Sequence, residues 1–314
     1  MHIMRRRGWD IPERFVTPES VVMNRRGLMA GALALAGTAA AQPAGAQSAL
    51  PPMPAPRNPK YEAGRDVTDE KFSTTYNNYY EFGESKNIVR AAQALKTEPW
   101  TVRVEGMVKE PKTFDLPALL KQVSLEERVY RFRCVEAWAM TVPYIGFPLA
   151  DLVKLVEPAG SAKYLVFETA ADKATMPGLR QPFYPWPYTE GLAIDEAMNE
   201  LAFMSVGLYG KVAPPQNGAP IRLTVPWKYG FKHGKSIVRI TFTDKRPKTF
   251  WEGLQAREYG FWANVNPNVS HPRWSQARER LLGNDEMVPT TLYNGYAEFV
   301  APLYTDRKSE KLFM

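Results

Sequence analysis

Cysteine is almost missing from this chain: its 314 residues contain one, Cys134. A single thiol rules out a disulfide within the chain, whatever the redox state of its compartment. Histidine is nearly as scarce, with three residues, of which only His233 and His271 lie beyond the first 46 positions. A structural zinc site asks for four cysteine or histidine ligands at characteristic spacings, and neither the number nor the spacing is present. Apart from a short alanine-rich run near the start, no stretch approaches the roughly 20 apolar residues of a membrane-spanning helix. The body of the protein is therefore expected to be soluble. The net charge of +7 conceals no basic patch: six arginines and three acids sit in the first 46 residues, and the remainder has no run of lysine or arginine. Nucleic acid is thus a poor partner. P-loop and dinucleotide fingerprints are missing as well, as is any internal repeat.

What is present begins with a leader. Asn24-Arg25-Arg26-Gly27-Leu28-Met29 sets two arginines before a weakly apolar run, and Ala44-Gly45-Ala46 offers the small residues of a cleavage site. This is the pattern of a twin-arginine signal, which implies use of the twin-arginine export machinery and delivery of an already folded protein to the periplasm. Residues 1–46 are accordingly assigned to a twin-arginine signal peptide with an N-terminal extension. Residues 47–59 form a proline-rich linker, and 60–314 form one folded domain, since no break in composition divides them.

Within that domain, residues 100–104 and 129–135 alternate apolar and polar side chains as half-buried strands do. Strands also read at 164–169, 221–225 and 236–243. Helical signals are short. Asp115 is an N-cap ahead of Leu116-Pro117, and Leu149, Leu152, Val153 and Val156 fall at i, i+3, i+4 and i+7 after Pro148. Strands do not alternate with long helices, so the class is α+β and not a doubly wound sheet.

Cys134 lies in Tyr130-Arg131-Phe132-Arg133-Cys134-Val135-Glu136-Ala137-Trp138. The two arginines favour a thiolate, although on a strand they would face away from the sulfur, while Glu136 would share its face and could relay protons. A buried small hydrophobe is the commonest fate of a lone cysteine. A nucleophile would need a histidine base, and there is no local signature of one. A soft metal here would draw most of its ligands from outside the chain, a need met by a cofactor that brings its own sulfurs. A second cluster runs from the turn-rich loop Pro214-Pro215-Gln216-Asn217-Gly218-Ala219-Pro220-Ile221-Arg222 to Val225-Pro226-Trp227-Lys228-Tyr229-Gly230-Phe231-Lys232-His233-Gly234-Lys235. It reads equally well as a solvated basic hairpin or as an anion site, where glycine admits backbone amides and Lys and Arg neutralise phosphate.

Together with Tyr76-Asn77-Asn78-Tyr79-Tyr80-Glu81-Phe82-Gly83, Ala263-Asn264-Val265-Asn266-Pro267 and His271-Pro272-Arg273-Trp274-Ser275-Gln276, these motifs resemble the bacterial periplasmic methionine sulfoxide reductases of the sulfite oxidase superfamily. The resemblance runs from Tyr61 to the C-terminus. It implies a sulfite-oxidase-type mixed fold, with 60–314 as a molybdopterin-binding catalytic domain carrying molybdenum–molybdopterin without an added nucleotide. It further implies Cys134 as the metal's protein ligand; Glu136, from its spacing to the sulfur, and Asn78 are expected as the other catalytic residues. Asn77, Tyr80, Glu81, Thr169, Asn217, Arg222, His233, Gly234 and Lys235 are implied to contact the cofactor, Arg222 and Lys235 at the pterin phosphate. The implied reaction is reduction of methionine sulfoxide in oxidised periplasmic proteins, with electrons from a membrane haem-binding subunit, MsrQ, and the quinone pool. Two rivals stand beside it. Sulfite oxidation would need arginines converging on the metal, with Arg131, Arg133 and Arg273 as candidates. A metal-free binding protein on the same fold is the other.

Overall fold

The computed structural model describes residues 52–314. The leader and the first residues of the proline-rich stretch lie outside that range. The architecture is α+β, built on two mixed sheets. The first runs in the order β2 (Lys112–Asp115), β1 (Thr101–Gly106), β10 (Ile237–Thr243), β5 (Tyr164–Thr169) and β6 (Thr189–Ala193), with β1 and β10 parallel and the other neighbours antiparallel. β1 shows the alternation expected of a sheet with one packed face, with Val102 and Val104 buried and Thr101 and Arg103 exposed.

The second sheet is organised around β4 (Trp138–Pro148), which is buried along all but its last residue. It pairs antiparallel with β3 (Glu126–Arg133) and β7 (Phe203–Leu208), and parallel with β11 (Arg278–Leu281). β8 (Lys211–Val212) and β9 (Arg222–Thr224) extend β7, and β12 (Met287–Pro289) extends β11. At the β4–β7 bulge a Cβ on Gly146 would lie 2.0 Å from the Met204 carbonyl oxygen, so only glycine allows the two strands to approach there.

The helices are short. Leu149–Val156 packs Leu149, Leu152, Val153 and Val156 into the core, as their spacing predicts. Leu116–Leu120 is capped by the Asp115 carboxylate, which accepts from the Ala118 amide at 3.3 Å. Among the described residues no helix is long and apolar enough to cross a membrane. The described part of the proline-rich stretch is held by backbone hydrogen bonds: Met53 N–H donates to the Gly210 carbonyl, and residues 56–58 exchange bonds with Glu127, each at 2.8 Å.

One expectation needs correction. The strand read at 129–135 starts earlier, at Glu126, and stops at Arg133. Cys134 to Ala137 instead form the turn between β3 and β4, closed by Cys134 N–H to the Trp138 carbonyl at 2.9 Å and Ala137 N–H to the Cys134 carbonyl at 3.1 Å. Ala137 takes the left-handed conformation, φ 61°, a state that apolar/polar alternation cannot signal.

Candidate active site

The β3–β4 turn delivers Cys134 to an open cleft. One wall comes from the segment after helix Glu70–Thr75, which contributes Asn77, Asn78, Tyr80 and Glu81. Another comes from the loop between β9 and β10. Because Cys134 sits on a turn, strand alternation does not put Glu136 beside it; the turn does. The Glu136 backbone amide donates to Cys134 Sγ at 3.5 Å, and Asn78 Nδ2 reaches both that sulfur at 3.6 Å and Glu136 Oε2 at 3.2 Å. Trp138 Nε1 and Lys86 Nζ complete the cage around Glu136 Oε2, at 2.9 and 2.6 Å. Lys86 also donates to Asn78 Oδ1, which fixes the amide's orientation.

Electrostatics separates the two acids of this group. Burial, followed by the nearby Glu136 carboxylate, pushes the Cys134 thiol up to about 12, against the Glu136 amide, Lys86 and Arg133. Burial would also raise Glu136, but donation from Lys86, Trp138 and Asn78 holds its carboxyl below the usual range. Left to itself the sulfur keeps its proton, and only a strong electrophile such as a metal displaces it. Among the described residues no histidine partners it. His233 donates from Nε2 to the Val225 carbonyl at 3.0 Å, and burial, with Arg222 and Lys235 nearby, keeps its imidazole neutral. His271 stacks on Trp274 at 3.8 Å. A cysteine–histidine dyad is therefore not assembled.

The inner wall is cationic. The basic residues of the 225–235 segment are not a solvated hairpin, for most are buried. Two are neutralised internally: Lys228 pairs with Glu196 and Lys232 with Glu190, both at 2.5 Å and fully enclosed. Arg222 and Lys235 differ. Among the described residues neither has a carboxylate within ion-pair distance. Burial, followed by the Arg222 charge, pulls Lys235 down to about 8 against the attraction of the Glu81 carboxylate, and burial lowers Arg222 as well. Arg222 donates from Nη1 to the Asn217 carbonyl at 2.8 Å, while its Nε and Nη2 have no partner. Asn77 and Asn217 both donate to the Ser73 carbonyl and leave buried Oδ1 atoms without a donor. Buried polar groups are nearly always satisfied, so this set of unused donors and acceptors, with two unpaired cations, is a seat for a polar, anionic group.

Other sequence candidates stand behind this seat. Thr169 is buried and donates to Glu81 Oε1 at 2.9 Å, and Gly234 lies over Phe167 and Thr169. The ring of Phe132 packs where a Cβ on Gly230 would stand, 2.2 Å away, so glycine there lets the loop pass against β3. Sequence reasoning missed Lys86, Tyr188, Trp251 and Tyr259. Lys86 gives no signal because its reach depends on how residues 77–86 fold back, and the aromatics belong to segments without a recognisable motif.

The chain matches the model of the family described as the oxidoreductase molybdopterin binding domain over residues 89–251. It is 50% identical to the protein-methionine-sulfoxide reductase catalytic subunits MsrP of Burkholderia mallei and Ralstonia nicotianae, over 98% of this chain and 96% and 97% of theirs. The chain belongs to the MsrP family of molybdopterin-binding oxidoreductases. A further member, from Pseudomonas syringae pv. tomato, is 49% identical over 95% of this chain and 96% of its own. The solved sulfane dehydrogenase SoxCD of Paracoccus pantotrophus overlaps 50% of this chain and 41% of its own, at 18% identity and a TM-score of 0.42.

The family's cofactor fits the donor set. Among the described residues no three His, Cys, Asp or Glu side chains gather as a metal site, so the chain offers a metal at Cys134 one sulfur and little else. A pterin bringing its own sulfurs and a phosphate matches both the single thiol and the unpaired cations.

Proposed function

We propose that this chain reduces methionine sulfoxide residues in proteins to methionine, as the catalytic subunit of an MsrP-type enzyme. The observation that carries the reading is a buried thiol at one end of a cleft whose inner wall holds Arg222, with two unused donors, and Lys235, neither within ion-pair distance of a carboxylate among the described residues. In the net reaction the sulfur–oxygen bond of the sulfoxide breaks, and two electrons and two protons convert the oxygen to water. Molybdenum–molybdopterin, when bound, supplies the oxygen acceptor and the electron relay. Cys134 Sγ would hold the metal. Arg222 and Lys235 would neutralise the pterin phosphate, and the open acceptors of Asn77 and Asn217 would take its N–H groups. Glu136, held by Lys86, Trp138 and Asn78, is the carboxylate beside the sulfur and the group placed to pass protons toward the reacting oxygen.

The cleft suits a neutral sulfoxide better than a dianion. The arginines that sulfite would need are engaged elsewhere: Arg133 pairs with Glu279, Arg273 with Glu258, and Arg131 donates to the Ala63 carbonyl. With an artificial reductant, the purified holoenzyme is expected to turn over oxidised proteins and simple sulfoxides and to leave sulfite untouched. Robust sulfite oxidation without sulfoxide reduction would overturn the reading.

The cellular setting is part of the same proposal: export to the periplasm by the twin-arginine route, with electrons from the membrane haem-binding subunit MsrQ. The leader lies outside the described residues, so its support is the Arg25-Arg26 pair and the weakly apolar run that follows. Replacing both arginines with lysine is expected to trap folded, cofactor-loaded protein in the cytoplasm. Efficient appearance of the double-lysine protein in the periplasm would rule this route out.

A further inference from the structure

The cleft does not end at its lining residues. Tyr80 and Trp251, which line it, meet edge to face at 5.0 Å, and Tyr184 stands edge-on to Tyr80 at 5.8 Å. Tyr184 continues outward, to Trp186 at 5.3 Å and to Phe183 at 4.3 Å. The last of these is 59% exposed, the most exposed large hydrophobic side chain among the described residues. The chemistry-bearing interior is thus joined to the surface by an unbroken aromatic array. Its outer part is carried on Gln181-Pro182-Phe183-Tyr184-Pro185-Trp186-Pro187, where prolines fix φ at three of the seven positions. The segment is also tied down at side chains. Trp186 Nε1 donates to the Gln181 carbonyl at 3.2 Å, and the Tyr184 hydroxyl donates to Glu84 Oε1 at 3.0 Å.

An ordered apolar ledge left in water needs a reason, since exposed aromatic patches mark contact surfaces. Nothing about a small sulfoxide in the cleft requires a ledge beyond it. A sulfoxide carried on a polypeptide does, because the chain on either side of the reacting residue has to lie across the mouth. We propose that the Phe183–Tyr184–Trp186 ledge binds the polypeptide flanking the methionine sulfoxide, taking an extended, unfolded segment whose apolar side chains and peptide planes stack on the rings. A rigid ledge loses little conformational freedom on contact, and aromatic faces accept many sequences, which suits an enzyme that must act on whichever methionine has been oxidised. This rests on the sulfoxide reductase reading and assigns the part of the molecule that would distinguish a protein substrate from a small one.

The test uses the loaded enzyme with a dye reductant and two substrates, an oxidised unfolded protein and dimethyl sulfoxide. Among the described residues Phe183 makes its one aromatic contact with Tyr184, so Phe183→Ser removes ledge surface and leaves the cleft lining alone. The expected result is a fall in kcat/KM for the oxidised protein of about two- to tenfold, the range of one aromatic contact. It should appear mainly in KM, with dimethyl sulfoxide turnover unchanged and Phe183→Trp restoring the parental value. Unchanged kcat/KM for the oxidised protein overturns the proposal, and so does an equal loss with both substrates, which would mark a structural role. If the dye-driven rates stay parental and only turnover supported by membranes falls, the ledge receives the electron donor, and the proposal fails in favour of that partner. A parent enzyme that reduces neither substrate would instead sink the functional reading on which the proposal rests.

Discussion

Cys134→Ser is expected to lose essentially all sulfoxide turnover while the protein stays folded. The backbone bonds that close the turn, Cys134 N–H to Trp138 and Ala137 N–H to Cys134, do not use the side chain. The two donors that reach Sγ, Asn78 Nδ2 and the Glu136 amide, can serve a hydroxyl as well. Stability should therefore change little. The donor atom, by contrast, changes from a soft, polarisable thiolate to a hard oxygen, which alters both the reduction potential of a metal and its readiness to exchange oxygen. Glu136→Gln makes the informative comparison. It keeps the size of the side chain and removes the charge that faces Lys86, so cofactor content should hold while turnover falls about 10- to 100-fold, the usual cost of disturbing a group just beyond the metal's ligands. Paired metal content and sulfoxide turnover of both variants beside the parent decide the matter. Near-parental turnover in Cys134→Ser would return the cysteine to the status of a buried structural residue.

Arg222→Met should move cofactor affinity and cofactor-free stability in opposite directions. Arg222 is buried, two of its donors are unused, and burial disfavours its charge. Without an anion this is an uncompensated charge in a place where an apolar side chain is cheaper. The cofactor-free variant is thus expected to melt at a higher temperature than the cofactor-free parent. With the cofactor the sign reverses. Losing a charge-assisted contact to the phosphate removes about 1.5–3 kcal/mol, a drop of roughly 10- to 150-fold in affinity. Pterin retained after dialysis, measured against the parent, reads the second effect, and thermal melts of the two cofactor-free proteins read the first. Full pterin retention together with a lowered melting temperature would show that Arg222 is a structural cation and that the phosphate sits elsewhere.

Much of the fold was legible where one face of an element is wet. β5 and the helix after Pro148 were readable because their buried and exposed positions alternate at the right period, and the Asp115 cap because its carboxylate has a short, local target. β4 and β7 gave no such signal. They are enclosed on both faces, and a continuously apolar run has no period to read. In the site, the sulfur and the cationic loop were legible as residue types in motifs. Which of four basic residues in and before that loop stay unpaired was not, because it depends on Glu190 and Glu196 arriving from β6 and the short helix after it. The turn at Cys134 was misread for a related reason: its left-handed residue, Ala137, is not one of the glycine, asparagine or aspartate types that signal such a turn.

That turn has a mechanical consequence. Cys134 is hydrogen-bonded to the first residue of β4, and β4 is gripped at once by β3, β7 and β11, with Trp138 and Ala139 paired to Arg280 and Leu281. Strands held on every side exchange their amide hydrogens only when the whole domain opens. The sulfur sits on a turn hydrogen-bonded to such a strand, so a metal bound to it would change oxidation state with little shift of the chain to follow. Little reorganisation of the protein would then oppose each electron transfer.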